Sequence, residues 1–126
     1  MAKTAIFLAE GFEEIEALTV VDLLRRAGIE ITMASITESR QVTGSHDIKV
    51  EADALLSDIN FDDIDMIILP GGMPGTNNLD ACEELTAHIR EFADAGKKLA
   101  AICAAPRVFG KMGILSGKRA TCYPRK

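Results

Sequence analysis

Lys98-Leu99-Ala100-Ala101-Ile102-Cys103-Ala104-Ala105-Pro106 is the stretch that decides the fold. It opens as a short apolar run between Gly96 and Pro106, the length of a buried strand. It then passes without loop residues into Val108-Phe109-Gly110-Lys111-Met112, which reads as a helix. A strand that runs straight into a helix needs a tight turn, and the residue at the apex stands clear of the sheet edge. That residue is Cys103, with the small Ala101 and Ala105 two positions away on either side, as a crowded turn requires. Hydrolases present a nucleophile on the same device, there as Gly-x-Ser-x-Gly. The plainer reading, a small buried hydrophobe, competes with the nucleophile until the thiol is given a partner.

Outward from this elbow, strands alternate with helices. Thr4-Ala5-Ile6-Phe7-Leu8-Ala9 is a continuous β-favouring run, the mark of a central strand covered on both faces. Glu10-Gly11-Phe12 forms a turn, and a helix follows to Arg25-Arg26, stopping at Gly28, with cations in its last turn. Ala17, Val20, Val21, Leu24 and Ala27 form its core stripe, with Glu16 at the border. Glu13 and Glu14 read as a solvated helix end, Glu14 lying on a mixed face above Leu18 and Asp22. Residues 29–36 are a second strand, and 41–51, with Gly44 in the middle, a small hairpin or edge excursion. The segment 53–60 suggests one helical turn, 65–69 a third buried strand ended by Pro70-Gly71-Gly72, 76–82 a short helix and 83–95 a longer one. After the fourth strand at 98–102 and the elbow, Arg119-Ala120-Thr121-Cys122 begins a fifth. The pattern predicts a doubly wound α/β fold, a mostly parallel sheet with helices on both faces. Such sheets place function at the C-terminal ends of strands, so Glu16, the 70–75 loop and Cys103 converge there.

The chain of 126 residues is one domain at most, and its 48% hydrophobic residues predict an ordered core. Aromatics are scarce, with five Phe, one Tyr and no Trp, so that core is aliphatic and rich in alanine. A net charge of −5 argues against nucleic acid or an anionic membrane as partner. No apolar run reaches the roughly 18 residues of a membrane span. Met1-Ala2-Lys3-Thr4 leads straight into a strand, without the apolar region and cleavage site of a signal peptide. Cys82, Cys103 and Cys122 have no metal-ligand spacing and suit no closed disulfide framework. Reduced thiols in a cytoplasmic protein without metal or cofactor are the simplest expectation.

A thiol becomes reactive when its thiolate is stabilised. Cys103 lies where a helix begins, whose free amides and dipole favour an anion. The amides of Gly71 and Gly72 approach closely for want of a side chain and suit the thiolate or a transition-state oxyanion. Glu16 acts in one of two ways. Ionised, it raises the thiol pKa by like-charge repulsion; protonated, it donates a hydrogen bond to the thiolate.

Ala9-Glu10-Gly11-Phe12-Glu13-Glu14-Ile15-Glu16, Val21-Asp22-Leu23-Leu24-Arg25-Arg26-Ala27-Gly28, Leu69-Pro70-Gly71-Gly72 and Ala100-Ala101-Ile102-Cys103-Ala104-Ala105-Pro106 together resemble the DJ-1/PfpI (ThiJ) superfamily, and within it the DJ-1-like branch. The resemblance covers the whole chain in the right order. It implies a flavodoxin-like fold, related to class I glutamine amidotransferases, and a homodimer. It implies that Cys103 is the reactive cysteine, that Glu16 is its carboxyl partner, and that Gly71, Gly72 and Ala104 supply backbone amides. Two departures stand out. Peptidase-like relatives have a histidine base near the cysteine, whereas Ala104 follows Cys103 here. On the strand after the elbow helix the DJ-1-like branch carries a histidine where this chain has Tyr123, a far weaker base at neutral pH. The family also continues past this point, so a single domain over 1–126 is expected to be truncated at its C-terminus.

Other candidates are weaker. The 71–75 loop lacks the spacing of a dinucleotide fingerprint, and Gly113-Ile114-Leu115-Ser116-Gly117-Lys118-Arg119 lacks that of a phosphate-binding loop. His46 falls where relatives often carry an arginine near the cysteine pocket, so it either lines that pocket across a dimer interface or is a solvated loop residue. His88, between Leu85 and Phe92, reads as a half-buried structural residue. Cys82 and Cys122 have no visible activating group, although a redox role for Cys122 stays open. Two functions use the same constellation. One is an enzyme in which Cys103 adds to a small aldehyde or a glycated protein, in the manner of glyoxalase III or deglycase relatives. The other is a peroxide sensor or redox chaperone built on the same thiol. A peptidase or amidase is disfavoured by Ala104.

Overall fold

The computed structural model describes residues 3–102 and 105–111. The strands are β1 (Lys3–Leu8), β2 (Glu30–Ser35), β3 (Gln41–Thr43), β4 (Lys49–Glu51), β5 (Ala54–Leu55), β6 (Met66–Leu69) and β7 (Lys98–Ala101). The helices are α1 (Glu14–Arg26), α2 (Gly75–Ala81), α3 (Glu83–Asp94) and α4 (Pro106–Lys111), and two 3-10 turns at Leu56–Asp58 and Phe61–Asp63 lead into β6. Five strands form one sheet in the order β5-β2-β1-β6-β7, and β3 and β4 form a separate hairpin. Every pairing in the large sheet is parallel, and the hairpin is antiparallel. The fold is the flavodoxin-like one expected. Without the two-residue edge strand β5, the strands that follow one another in sequence take the order 2-1-3-4.

β1 occupies the centre because it is apolar on both faces: Ala5, Ile6, Phe7 and Leu8 are all fully buried. Successive side chains go to opposite sides. Ala5 and Phe7 join Leu79 of α2, Leu85, Ile89 and Phe92 of α3, and Val108 and Phe109 of α4. Ile6 and Leu8 face Ala17 and Val21 of α1 and Val42 of the hairpin. The helices thus cover both faces, as the alternating pattern predicts.

The predicted stripe of α1 holds at Ala17 and Val21, which are buried, and at Val20 and Leu24, which pack against the same cluster. Ala27 departs from it. It is the C-cap residue, beyond the last helical turn, and it is exposed; Gly28 follows at φ +79°, and the chain turns away. Helix α3 runs from Glu83 to Asp94 with Leu85, Ile89 and Phe92 inward, the expected face. His88 stacks on Phe61 at 3.7 Å between ring centroids, and its Nδ1 lies 2.8 Å from Glu91 Oε1. It is the half-buried structural residue that its spacing suggests.

Candidate functional site

In an open parallel sheet the ligand crevice lies where strand order reverses. Here β1 is flanked by β2 on one side and β6 on the other, so the reversal falls between β1 and β6. Two loops leave the C-terminal edge at that point, residues 9–13 after β1 and residues 70–74 after β6. They are joined backbone to backbone. Glu13 N–H donates to Gly71 O at 2.9 Å, and Gly75 N–H to Gly11 O at 3.1 Å. Gly72 has φ +96°, and a Cβ there would run into the Glu13 nitrogen, so only glycine permits this approach.

Glu16 sits in the first turn of α1, half-buried above this junction. Its Oε1 accepts the Gly71 N–H at 2.9 Å. Two residues 55 apart in sequence are thereby joined at the strand ends. The bond also gives Gly71 a definite job: its amide, offered by the sequence to a thiolate or oxyanion, is directed at Glu16. The Gly72 N–H has no acceptor among the described residues, while its carbonyl accepts the Thr76 N–H at 2.9 Å.

Strand β7 lies beside β6 with Leu69 level with Ala101. Ile102 N–H donates to Leu69 O at 3.3 Å, and Ala105 N–H donates to Ile102 O at 3.0 Å, so strand and helix α4 meet within a few residues. Cys103, the predicted apex, and Ala104 lie outside the described residues, as do Tyr123, Cys122 and the predicted fifth strand. Cys82 is a free, half-buried thiol between α2 and α3.

Glu14 corrects the sequence reading. It is not part of a solvated helix end; it is 3% exposed, and the hairpin closes over it. Its Oε2 accepts the His46 N–H at 2.9 Å and the Ile48 N–H at 3.2 Å. Its Oε1 lies 3.1 Å from His46 Nδ1 and 3.5 Å from Ser45 Oγ. Burial pushes the Glu14 pKa up, but its own backbone N–H, the His46 side chain and the His46 and Ile48 amides outweigh that and bring it down to about 2. His46 moves the other way, raised by its hydrogen bond to Glu14 and by the charges of Glu13 and Glu14. The contacts of His46 among the described residues are therefore with Glu13, Glu14 and Ser45, not with Glu16. Glu13, Glu14 and His46 offer ligand atoms within 4.8 Å of one another, but the Glu14 oxygens are already engaged by hairpin donors.

Glu14 escaped the sequence because its partners are backbone amides more than thirty residues away. The trace it leaves is Gly44, where a Cβ would fall on the Glu14 carboxyl.

A flavodoxin-like sheet with a carboxyl bound to a glycine loop at the strand reversal defines a class of α/β domains with a site at that edge. The chain belongs to the DJ-1/PfpI family, whose profile matches residues 2–126. It is 45% identical over 123 residues to protein DJ-1 homolog B of Arabidopsis thaliana, covering 97% of this chain and 28% of that one. It is 39% identical to protein dj-1beta of Drosophila melanogaster, covering 98% of this chain and 67% of the other. A protein of Pyrococcus abyssi named a deglycase is 30% identical, with 97% of this chain and 72% of that one covered. Among solved structures, oxidized DJ-1 of Toxoplasma gondii superposes with a TM-score of 0.94 at 39% identity, covering 98% of this chain and 68% of that one. A DJ-1 superfamily protein of Salmonella typhimurium, solved as a cysteine-to-alanine mutant, gives a TM-score of 0.86 at 40% identity, with 93% and 64% covered. The chain spans less than a third of the length of the two Arabidopsis proteins it matches. Among the described residues no helix is long and apolar enough to cross a membrane.

Proposed function

We propose that this DJ-1-like protein carries a reactive thiol, Cys103, that adds to small reactive carbonyls such as 2-oxoaldehydes, or to glycated proteins, in cytoplasmic stress protection without a cofactor. The observation that carries the reading is the Glu16–Gly71 hydrogen bond at the strand reversal, 2.9 Å long. Register supports it too. Leu69 is level with Ala101, so residue 103 follows β7 by the same two positions by which Gly71 follows β6. Parallel neighbours lie about 4.8 Å apart, so the described ends of β6 and β7 bring the chain on either side of the carboxyl-bound loop to the same edge of the sheet.

In the reaction the Cys103 thiolate forms a C–S bond to the aldehyde carbon, and the displaced π electrons go to the carbonyl oxygen. In this reading the Gly72 and Ala104 amides would stabilise that oxygen, while the Gly71 amide holds Glu16. The hemithioacetal then either collapses back to aldehyde and thiol or rearranges, one hydrogen moving from the former aldehyde carbon to the adjacent carbonyl carbon, with Glu16 shuttling the proton. Hydrolysis of the resulting thioester releases a 2-hydroxy acid and restores the thiol. No oxidant or reductant is consumed. With methylglyoxal as substrate, Cys103→Ser is expected to abolish turnover, and Glu16→Gln to lower kcat/KM by about 10²-fold or more, the usual contribution of a positioned proton shuttle. Unchanged turnover in Cys103→Ser, or none in the native protein, would sink the enzyme reading.

A second reading uses the same thiol as a peroxide sensor: the thiolate attacks a peroxide oxygen, giving a sulfenic acid and releasing water or an alcohol. The Toxoplasma relative solved in oxidized form favours it. Absence of methylglyoxal turnover together with rapid oxidation of Cys103 would select this reading. A peptidase or amidase has the least support, since Ala104 stands where such relatives have a base. Tyr123 would flank the pocket, and His46 belongs to the hairpin beside it.

A further inference from the structure

Among the described residues, Glu14 is the buried ionisable side chain that the chemistry above leaves unused. Its carboxylate is enclosed by the tip of the β3–β4 hairpin, taking the His46 and Ile48 amides at 2.9 and 3.2 Å. Gly44 allows the turn to close, because any Cβ there would occupy the place of the carboxyl. The hairpin so anchored grips the loop between β1 and α1 at three further points. Gly11 N–H donates to Thr43 O at 2.8 Å, Ser45 N–H to Phe12 O at 2.7 Å, and Thr43 N–H to Glu10 Oε2 at 2.7 Å. That loop in turn holds the glycine loop through Glu13 N–H to Gly71 O at 2.9 Å and Gly75 N–H to Gly11 O at 3.1 Å. The last link is Gly71 N–H to Glu16 Oε1.

We propose that Glu14 is a positioning residue: by clamping the hairpin tip it fixes the β1–α1 loop against the glycine loop, so that the Gly71 amide is presented to Glu16. The links are continuous, and those between the hairpin, the β1–α1 loop and the glycine loop are backbone to backbone apart from Glu10, so displacement of the hairpin is felt at Gly71 without any change in the residues of the site. The catalytic weight of this coupling rests on the reading of Glu16 as the site carboxyl; the coupling itself does not.

The test is amide hydrogen exchange by NMR on the protein and on Glu14→Gln, with Glu16→Gln as the measure of what Gly71 does when its own acceptor is weakened. The amides of His46 and Ile48 are expected to exchange faster in Glu14→Gln, and the Gly71 amide with them, by about tenfold or more, while Ile67 and Leu69 within β6 keep their protection. If the hairpin amides are released and Gly71 exchanges as in the native protein, Glu14 is only a hairpin cap and the proposal is overturned. Unchanged exchange at all three amides overturns it equally. Gly44→Ala is the second variant should Glu14→Gln not fold. It expels the same carboxyl while leaving Glu14 in the sequence, and the same response at Gly71 is expected. Exchange is read without substrate or thiol, so a failure here is distinct from a failure of the carbonyl chemistry, which methylglyoxal turnover of the native protein decides.

Discussion

Three glutamates within four positions meet three different fates. Glu13 caps α1, its side chain accepting the Ile15 N–H at 3.4 Å. Glu14 turns into the hairpin, and Glu16 turns to the glycine loop. Glu14 also dictates a pH dependence. Its pKa falls from 4.5 to about 2 on folding, so between these values the unfolded chain binds the proton more readily than the native one. Its contribution to stability is therefore complete above about pH 4.5 and is lost as the pH falls through about 2. His46 has the opposite sign. Its raised pKa makes its contribution complete below 6.5 and lost as the pH rises through its higher native value. Urea unfolding should show Glu14→Gln destabilised by about 1–3 kcal/mol near pH 6, the cost of a buried charge-assisted acceptor, and the gap should narrow by about pH 2.5. An equal gap at both pH values would show that the carboxylate charge plays no part.

The elements divide into those a sequence pattern can announce and those it cannot. β1, β2, β6 and β7 are apolar runs bounded by turn residues, and each falls within a residue or two of its predicted place. α1 and α3 show the helical spacing of buried residues. β5 has only Ala54 and Leu55, too few to carry a period, and it takes the first part of the segment 53–60 expected as one helical turn, leaving the turn itself to Leu56–Asp58. The hairpin was legible from Gly44, but its packing was not, because a strand of three residues does not say which surface it lies on. Site residues follow the same rule. Glu16 borders an apolar stripe in the chain and proves half-buried, whereas Glu14 looks like a solvated helix end and is held by amides that the helical pattern does not contain.

At the scale of the molecule, α1 and the hairpin are joined through Glu14, and each carries a large apolar side chain that meets solvent. Ile15 is 74% exposed and Ile48 51%, on segments joined by the Glu14 bond to the Ile48 amide. We expect these side chains to lie in the contact of a homodimer, which would bring the hairpins of two copies close to their sites. Ile15→Asp should then shift the protein to the monomer in sedimentation; an unchanged mass would place the contact elsewhere. The proposed function requires that the sheet edge holding Glu16 and Gly71 make Cys103 a reactive thiol. It is tested most directly by the rate of Cys103 alkylation by iodoacetamide as a function of pH, followed by mass spectrometry of the peptide. The thiolate is expected to form well below the roughly 8.5 of a free cysteine, and Glu16→Gln to move the midpoint. A midpoint near 8.5 that Glu16→Gln leaves in place would contradict it.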